Sequence, residues 1–124
     1  MKEIILTDKA QQPRNMPYSQ AVKVGNTVYV AGQGPFEPGN GMCEGNTMEY
    51  QARRSLDNLK AIIEASGAQM KDVVKVTVFL GKGANFDEFN RYYMEYFSSP
   101  YPARSITIAM TDFLVHIDAI AVIE

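Results

Sequence analysis

The sequence is poor in the residues that carry disulfide and metal chemistry. Its 124 residues include one cysteine, one histidine and no tryptophan. A lone cysteine excludes an intrachain disulfide, which fits a reducing compartment. One histidine and one cysteine cannot form a structural zinc site without carboxylates, and no metal-ligand spacing is present. We therefore expect no metal site. We interpret Cys43 as an incidental surface thiol, because the neighbouring Glu44 disfavours the thiolate.

Long apolar runs are also missing. The N-terminal run from Ile4 to Leu6 turns polar at Thr7 and is too short for a signal peptide. No later stretch has the length that spans a membrane. We therefore expect a cytoplasmic protein.

Neither sign of charge is in large excess. Lys and Arg together number 12, Asp and Glu number 14, and the formal net charge is -2. No Lys/Arg cluster marks a nucleic-acid or membrane surface, so we expect neither partner. The same balance argues against a ribonuclease, which has to bind a phosphate backbone.

The patterns that are present predict one α+β domain over residues 1–124. Apolar alternation predicts six strands, at 4–6, 20–24, 27–31, 73–80, 103–110 and 114–123. Helical spacing predicts a first helix over roughly 47–66 and a second striped by Phe86, Phe89, Tyr93 and Phe97. Asn46 and Asn85, each three residues before a glutamate, are the predicted N-caps. The order ββαβαββ, with a short N-terminal strand, predicts a mixed six-stranded sheet with both helices packed on one face.

Two features of the sheet follow from the pattern. The short link from Thr111 to Phe113 predicts that the last two strands form a hairpin. The strand at 73–80 is apolar on most of both faces and should be central. Its faces carry Val74, Val76, Val78 and Leu80 on one side and Val73 and Phe79 on the other. Because helices cover only one side, the other apolar side needs a partner, and we expect a homo-oligomer.

Arg104 is the last Lys or Arg of the chain and begins an apolar strand. A cation in that position is costly to bury unless an anion meets it. One interpretation is a structural ion pair with a carboxylate such as Asp118. The other is a bidentate grip on a ligand carboxylate or phosphate, which suits the planar guanidinium. The chemistry of the residue leaves both open.

His116, the only histidine, lies in the last predicted strand and shares a face with Asp118. In one interpretation a backbone group or Asp118 holds it and it has no chemical role. In the other it is a base that activates water near neutral pH. The residue pattern alone favours the structural interpretation.

A glycine-rich segment, Ala31-Gly32-Gln33-Gly34-Pro35, follows a predicted strand. It does not open a helix, so it is not a dinucleotide or phosphate-binding fingerprint. It is either a plain turn or a place where a ligand approaches exposed backbone N–H groups, which glycine permits.

Six segments together resemble the RidA (YjgF) family. They lie at 17–21 (PYSQA), 28–33 (VYVAGQ), 58–62 (NLKAI), 74–80 (VKVTVFL), 102–105 (PARS) and 117–122 (IDAIAV). The match keeps its order and runs nearly from end to end. It implies the RidA/chorismate-mutase-like fold and a homotrimer with ligand sites between subunits.

The resemblance also implies an activity. Family members hydrolyse reactive enamines and imines, such as 2-aminoacrylate, to 2-keto acids and ammonia without a metal or organic cofactor. In that scheme Arg104 grips the substrate carboxylate, Tyr18 lines the pocket, and backbone groups near Ala31 and Gly32 help to hold the ligand. A glutamate of the last strand positions the attacking water.

The sequence departs from the family pattern at three positions and in one length. His116 stands where the glutamate usually stands, Ala31 replaces a serine, Met16 replaces a glycine, and the connection from Arg104 to His116 is shortened. A neutral imidazole can accept a proton from water, but it lacks the fixed negative charge that stabilises an iminium. Asp118 could orient the imidazole, but its reach is too short to replace the glutamate.

Two functions therefore stay open. The first is a RidA-like deaminase of small 2-enamino or 2-imino acids, with altered or weak activity. Its catalytic residues would be Arg104 and His116, and its substrate-binding residues Tyr18, Ala31, Gly32 and Arg104. The second is a non-catalytic trimer that binds small carboxylates or keto acids through Arg104.

Overall fold

A mixed six-stranded sheet forms one layer of the protein and two α-helices form the other. The computed structural model describes residues 1–124. Its strands are β1 (Lys2–Ile5), β2 (Ala21–Val24), β3 (Thr27–Gln33), β4 (Val73–Gly81), β5 (Ala103–Ala109) and β6 (Val115–Val122). Its helices are α1 (Met48–Ala65), α2 (Phe86–Tyr93) and a short 3-10 helix (Met70–Asp72) before β4. The strand order is β1-β2-β3-β6-β4-β5, with only β4 and β5 parallel, which confirms the predicted fold class.

Both α-helices begin at side-chain caps. Asn85 caps α2 as predicted, since its Oδ1 accepts from Glu88 N at 2.8 Å. For α1 the predicted cap, Asn46, is wrong by one residue: Thr47 Oγ1 accepts from Tyr50 N at 3.1 Å. Asparagine and threonine are both good caps, so their order in the sequence does not separate them. Neither helix is long and apolar enough to cross a membrane.

The last two strands do not form a hairpin, so that prediction was wrong. β5 pairs in parallel with β4, whereas β6 lies between β3 and β4. The link from Thr111 to Phe113 therefore crosses the end of β4 at Gly81, whose N–H donates to Leu114 O at 2.9 Å. A Cβ at residue 81 would overlap the Phe113 carbonyl. Glycine at this position is what lets the chain cross so closely.

A bulge in β4 changes which of its side chains face the helices. Val73 pairs with Ala121 and Lys75 with Ile120, so Val74 is an extra residue on this strand. Val73 is consequently buried on the helix side, and Val74 is 47% exposed. The predicted placement of the two valines was wrong, because one extra residue reverses the alternation of the strand.

The core lies between the sheet and the helices. Its largest fully buried apolar side chains are Leu56, Leu59, Ile62 and Ile63 of α1, Phe89 of α2, and Leu80 and Ile117 of the sheet. The second helix ends at Tyr93, so Phe97 packs onto the core from the turn that follows. Along β6, buried residues alternate with partly exposed ones. We call the side without helices the open face. It carries Ile4, Tyr29, Phe79, His116 and Ile120.

Candidate functional site

Arg104 lies on β5 and faces the helices. It is in register with Val76 of β4, which pairs in turn with Ala119 of β6, and both partners are buried under the helices. Asp118, paired with Thr77, faces the open side. The interpretation of Arg104 as the ion-pair partner of Asp118 is therefore wrong, because the two side chains lie on opposite faces of the sheet. The ion pairs that do form involve Arg53, Arg54 and Lys60.

The guanidinium of Arg104 is held by α2. Its Nη1 donates to Asn90 Oδ1 at 2.8 Å. Its central carbon lies 4.6 Å from the ring centroid of Tyr93 and 5.8 Å from that of Phe86. An amide and aromatic rings orient a cation without neutralising it. Arg104 is thus fixed in place with its charge still available to an anion.

The guanidinium opens into a cleft of about 390 Å³. The cleft is lined by Asn90, Tyr93, Met94, Tyr101, Pro102 and Arg104. Its volume is at the small end of the range for ligand pockets. None of the lining residues is acidic, so a ligand carboxylate that enters the cleft meets the guanidinium without a competing anion.

Tyr93 is part of the core, as its aromatic pattern predicts, and it also lines this cleft. Its side chain is 4% exposed, and its hydroxyl has no hydrogen-bond partner. Burial raises the pKa of Tyr93, and the nearby Arg104 opposes that rise. Asn90 was not predicted from the sequence as a site residue. Its position one helical turn before Tyr93, on the helix that leads to Arg104, was the available signal.

His116 lies on the open face among aromatic rings. It is in register with Phe79 of β4. The ring of Phe113 is stacked with the imidazole at 6.2 Å between centroids, and the ring of Phe36 meets it edge-on at 6.4 Å. His116 Nε2 is buried and has no hydrogen-bond partner. Burial lowers the pKa of His116, so the imidazole is neutral at pH 7.

Asp118 does not provide the missing partner of His116 Nε2, although both side chains face the open side. Burial raises the pKa of Asp118, while hydrogen bonding to Thr77 and the charge of Lys75 oppose that rise. The carboxylate therefore interacts with β4 rather than with that imidazole nitrogen. No protein acceptor or carboxylate holds Nε2, so the partner that the structural interpretation of the histidine requires is absent at this nitrogen.

The remaining predicted site residues lie in β3 or beside it. The register of β3 against β6 shifts between Val30 and Gln33, so Ala31 and Gly32 form an irregular segment. Ala31 N donates to Gln20 O at 2.9 Å, which brings the segment containing Tyr18 alongside it. Tyr18 is 40% exposed, and no heavy atom lies within 4 Å of where a Cβ of Gly32 would be. The backbone at Gly32 is therefore open to a ligand. Both backbone groups of Ala31 are already hydrogen-bonded, its N–H to Gln20 O and its C=O to Gln33 Nε2 at 3.0 Å, so the prediction that Ala31 offers a free N–H is wrong.

The predicted site residues thus form two separate halves. The Arg104 half lies on the helix side of β5, at one edge of the sheet. The His116 half lies on the open face, where Gly34 of the segment after Gly32 contacts the imidazole. A single chain does not bring the two halves together. If they act on one ligand, they have to do so between two copies of the chain.

Other reactive side chains add nothing to either half. Cys43 is partly buried, and its Sγ donates to Gly45 O at 3.2 Å. No group of three or more His, Cys, Asp or Glu side chains is arranged to hold a metal ion. The two halves contain the side chains of Arg104, His116, Tyr18 and Tyr93, together with backbone groups.

Comparison with known proteins places the chain in a family. The family model described as Endoribonuclease L-PSP matches residues 9–123. A 2-iminobutanoate/2-iminopropanoate deaminase of Dermatophagoides farinae is 45% identical over 128 residues, covering 99% of this chain and 98% of the relative.

Solved structures agree with that match. RidA from the Antarctic bacterium Psychrobacter superimposes with a TM-score of 0.89 at 40% identity, covering 98% of this chain and 99% of the other. Escherichia coli TdcF with bound serine gives a TM-score of 0.89 at 35% identity, with the same coverage. Order of elements, sequence and structure therefore agree, and the chain belongs to the RidA family.

Proposed function

We propose that this protein is a deaminase that hydrolyses small 2-imino and 2-enamino acids to 2-keto acids and ammonia. The observation that carries the proposal is the Arg104 guanidinium, which is oriented by Asn90 and Tyr93 yet unpaired with any carboxylate, at a cleft of small-ligand size. A relative at 45% identity is named 2-iminobutanoate/2-iminopropanoate deaminase. The solved structure of TdcF contains serine, a small amino acid whose carboxylate is attached to its α-carbon, as it is in a 2-imino acid.

The proposed site is shared between neighbouring copies of a homotrimer. One copy supplies Arg104 and its cleft, and the next supplies His116 with the open backbone at Gly32, which follows Ala31. Tyr18 belongs to the same half of the site as His116. Support comes from the opposite facing of Arg104 and His116 and from the apolar open face, which carries half-exposed Ile4 and Tyr29.

The reaction needs a group that binds the substrate carboxylate, a base and a proton donor. Arg104 binds the substrate carboxylate by two parallel N–H···O bonds, which orients the C=N carbon. A 2-enamino acid first takes up a proton from solvent at its β-carbon, and a 2-imino acid takes one up at nitrogen, so both enter the next step as the same iminium. Water then attacks the C=N carbon, forming a C–O bond while the C=N π pair moves to nitrogen, and His116 takes the proton that the water loses. The product of this step is a neutral carbinolamine and an imidazolium.

The second step breaks the C–N bond. His116 returns its proton to the amine nitrogen, and the C–N electron pair leaves with ammonia. The hydroxyl proton passes to the departing ammonia, which leaves as ammonium, and the carbonyl of the 2-keto acid forms. A neutral imidazole at pH 7, as its burial dictates, is in the correct state to begin the cycle.

One observation favours the second function, a trimer that binds small carboxylates or keto acids through Arg104 without catalysis. His116 Nε2 is buried, so in this conformation that nitrogen does not contact solvent water. Catalysis then requires the other ring nitrogen or a movement of the aromatic rings beside it. The family description as an endoribonuclease has no such support, because a net charge of -2 does not favour binding of the RNA phosphodiester backbone.

The deciding experiment follows imine hydrolysis directly. An amino-acid oxidase generates 2-iminobutanoate, and semicarbazide traps the imine that this protein has not yet hydrolysed. We expect the wild type to suppress trapping, Arg104→Ala to lose about 100-fold or more in kcat/KM, and His116→Gln to lose mainly kcat. Arg91→Ala, which removes an exposed arginine from the same helix that holds Arg104, is the matched control and should stay active.

The same variants distinguish the two functions. If semicarbazide traps as much imine with the wild type as in buffer alone, the deaminase proposal is wrong. In that case, 2-oxobutanoate binding measured by calorimetry, present in the wild type and lost in Arg104→Ala, identifies the binding protein. Absence of binding as well contradicts both.

A further inference from the structure

The first helix places three buried polar side chains on one stripe of its core-facing side. They are Gln51, Ser55 and Asn58, with exposed fractions of 5%, 0% and 0%. Their spacing of four and three residues puts them on one face of the helix. We call them the polar stripe. Buried polar groups on a helix that is otherwise apolar on this face need partners, and each of the three has one.

The partners of the polar stripe are backbone groups in two segments, one directly before His116 in the sequence and one that includes Gly34 and Phe36. Gln51 Oε1 accepts from Leu114 N at 2.7 Å, and Ser55 Oγ donates to Val115 O at 3.5 Å. The first of these bonds fixes the chain just before His116, and the second, at the outer limit of hydrogen-bond distance, adds a weaker contact at Val115. Gln51 Nε2 also donates to Gly45 O at 3.0 Å, which ties the preceding loop to the same point.

Asn58 fixes the other segment. Its Nδ2 donates to Gly34 O at 3.2 Å and to Phe36 O at 2.9 Å. Its Oδ1 accepts from Arg54 at 3.0 Å, so the amide is fully used. Gly34 N is held by Gln11 Oε1 at 3.3 Å, which leaves the residue fixed at both ends.

These backbone segments carry the residues that enclose the imidazole of His116. A Cβ at Gly34 would lie 2.8 Å from His116 Nε2, so the two residues are in close contact. The rings of Phe36 and Phe113 enclose the imidazole from two sides and lie 4.6 Å apart between their own centroids. Gly34, Phe36 and Phe113 make no hydrogen bond to the imidazole, so their position around it depends on how their backbone is held.

We propose that the polar stripe Gln51, Ser55 and Asn58 positions His116 for the reaction, by fixing from the helix side the backbone that encloses its imidazole on the open face. These are positioning residues, since none of them touches the reacting atoms. The catalytic part of this inference rests on the proposed deaminase function, whereas the positioning of the imidazole does not.

The consequence is selective for one half of the site. The polar stripe contacts the segments around His116, and the guanidinium of Arg104 is held by α2 instead. Loosening the stripe should therefore lower kcat and leave KM, which depends on the carboxylate grip, unchanged. It should also admit water to the imidazole, so the pKa of His116 should rise toward its ordinary value.

The charged groups near His116 do not obscure that titration. Asp118 of β6 and Lys75 of β4 share its face of the sheet, and Asp112 lies in the link beside Phe113. Burial is the cause of the lowered His116 pKa, with no contribution from these charges. A change in the titration then reports on the enclosure of the ring.

The experiment uses the single histidine as its own probe. The Hε1 resonance of His116 is followed by NMR from pH 4.5 to 8 in wild type, Asn58→Ala, Gln51→Met and Ser55→Ala, together with kcat and KM for 2-iminobutanoate. Ser66→Ala is the matched control, because Ser66 is also buried and its Oγ also donates to a backbone carbonyl, that of Ile63 at the far end of α1. Thermal unfolding identifies any variant that does not fold, and the milder Gln51→Met and Ser55→Ala then decide.

We expect Asn58→Ala and Gln51→Met to raise the His116 pKa and to lower kcat about 10- to 100-fold at unchanged KM, as for a misplaced catalytic group. Ser55→Ala should act in the same direction with a smaller effect, and Ser66→Ala should lower only the melting temperature. If the stripe variants lose stability as Ser66→Ala does, with the titration and kcat unchanged, the stripe is structural and the proposal is wrong. The titration needs no substrate, so it decides the positioning of His116 even where the wild type hydrolyses no imine.

Discussion

Arg104 and His116 point away from each other across the sheet. The row of paired residues that contains Arg104 runs through Val76 and Ala119 on the helix side, and His116 is paired with Phe79 on the open face. β4 separates their strands. A small ligand held by Arg104 therefore cannot reach the imidazole of the same chain, and a site that uses both takes them from two copies.

Two inactive variants should restore activity when they are assembled together. Arg104→Ala lacks one half of the proposed site and His116→Gln lacks the other. In trimers refolded from equal amounts of both, about one quarter of the interfaces combine an intact Arg104 with an intact His116, since each has a probability of one half. We expect about a quarter of the wild-type rate of keto acid release, against almost none from either variant refolded alone.

The control for this mixing is the particle itself. Three copies of the 13.8 kDa chain weigh about 41 kDa, which light scattering measures for each refolded sample. Mixed trimers of that mass with no regained activity contradict a site shared between subunits. A monomeric particle contradicts the homotrimer.

The amide of Asn90 should contribute to ligand affinity through the guanidinium of Arg104. It orients the Arg104 guanidinium through a 2.8 Å hydrogen bond. A hydrogen bond to a charged group contributes about 1.5 kcal/mol, so Asn90→Ala should raise the KM for 2-iminobutanoate about tenfold. The kcat should change little, because His116 belongs to the other half. The dissociation constant of 2-oxobutanoate, measured by calorimetry, should rise by the same factor.

Asn85→Ala provides the comparison for that variant. It also removes an asparagine of this region, but the one that caps α2. Loss of a cap costs about 1 kcal/mol of stability. If Asn85→Ala raises KM as much as Asn90→Ala does, the effect comes from a loosened helix, and the specific role of Asn90 is wrong.

The sequence predicted the elements well and their contacts less well. Asn85 and Glu88 predicted the start of α2 because a capping box is local chemistry. The pairing of the last two strands could not be predicted from their short link, because the crossing depends on how closely Gly81 and Phe113 approach. A hairpin is the default expectation for two adjacent strands, and only the three-dimensional position of β4 excludes it.

The site was predicted in part for the same reason. Arg104 and His116 are recognisable as unusual residues in their strands, but the faces on which they lie depend on register. The extra residue Val74 shows how one bulge reverses a strand's alternation. Helical spacing places Asn90 and Tyr93 together on α2, but they become site residues only when α2 packs over β5, which is a tertiary contact.

Gly81→Ala should be strongly destabilising. Its Cβ would overlap the carbonyl of Phe113, which is backbone and cannot rotate away as a side chain does. Forcing the crossing link outward should cost about 3 kcal/mol or more, the upper range for overpacking. Urea denaturation monitored by circular dichroism measures it. Gly39→Ala is the matched control, since no atom lies within 4 Å of its Cβ position. Equal stability of the two variants contradicts the crossing geometry.

Stability and activity should both fall in acid because of His116. Burial holds the pKa of His116 below the ordinary value of 6.5. As pH falls below 6.5 the unfolded chain binds a proton before the folded chain does, so the free energy of unfolding decreases until pH reaches the folded-state pKa. The kcat should fall through that lower pKa, since protonated imidazole accepts no proton from water.

The comparison with His116→Gln isolates this dependence. Asp118 acts in the opposite direction, because burial raises its pKa and the folded chain binds its proton first, but both proteins retain it. The difference in unfolding free energy between wild type and variant, measured by urea denaturation at intervals from pH 7.5 to 4.5, should be constant above about pH 6.5 and should shift against the wild type below it. A difference that stays constant over the whole range shows that the imidazole is not buried in the folded protein, and it removes the enclosed His116 from the site.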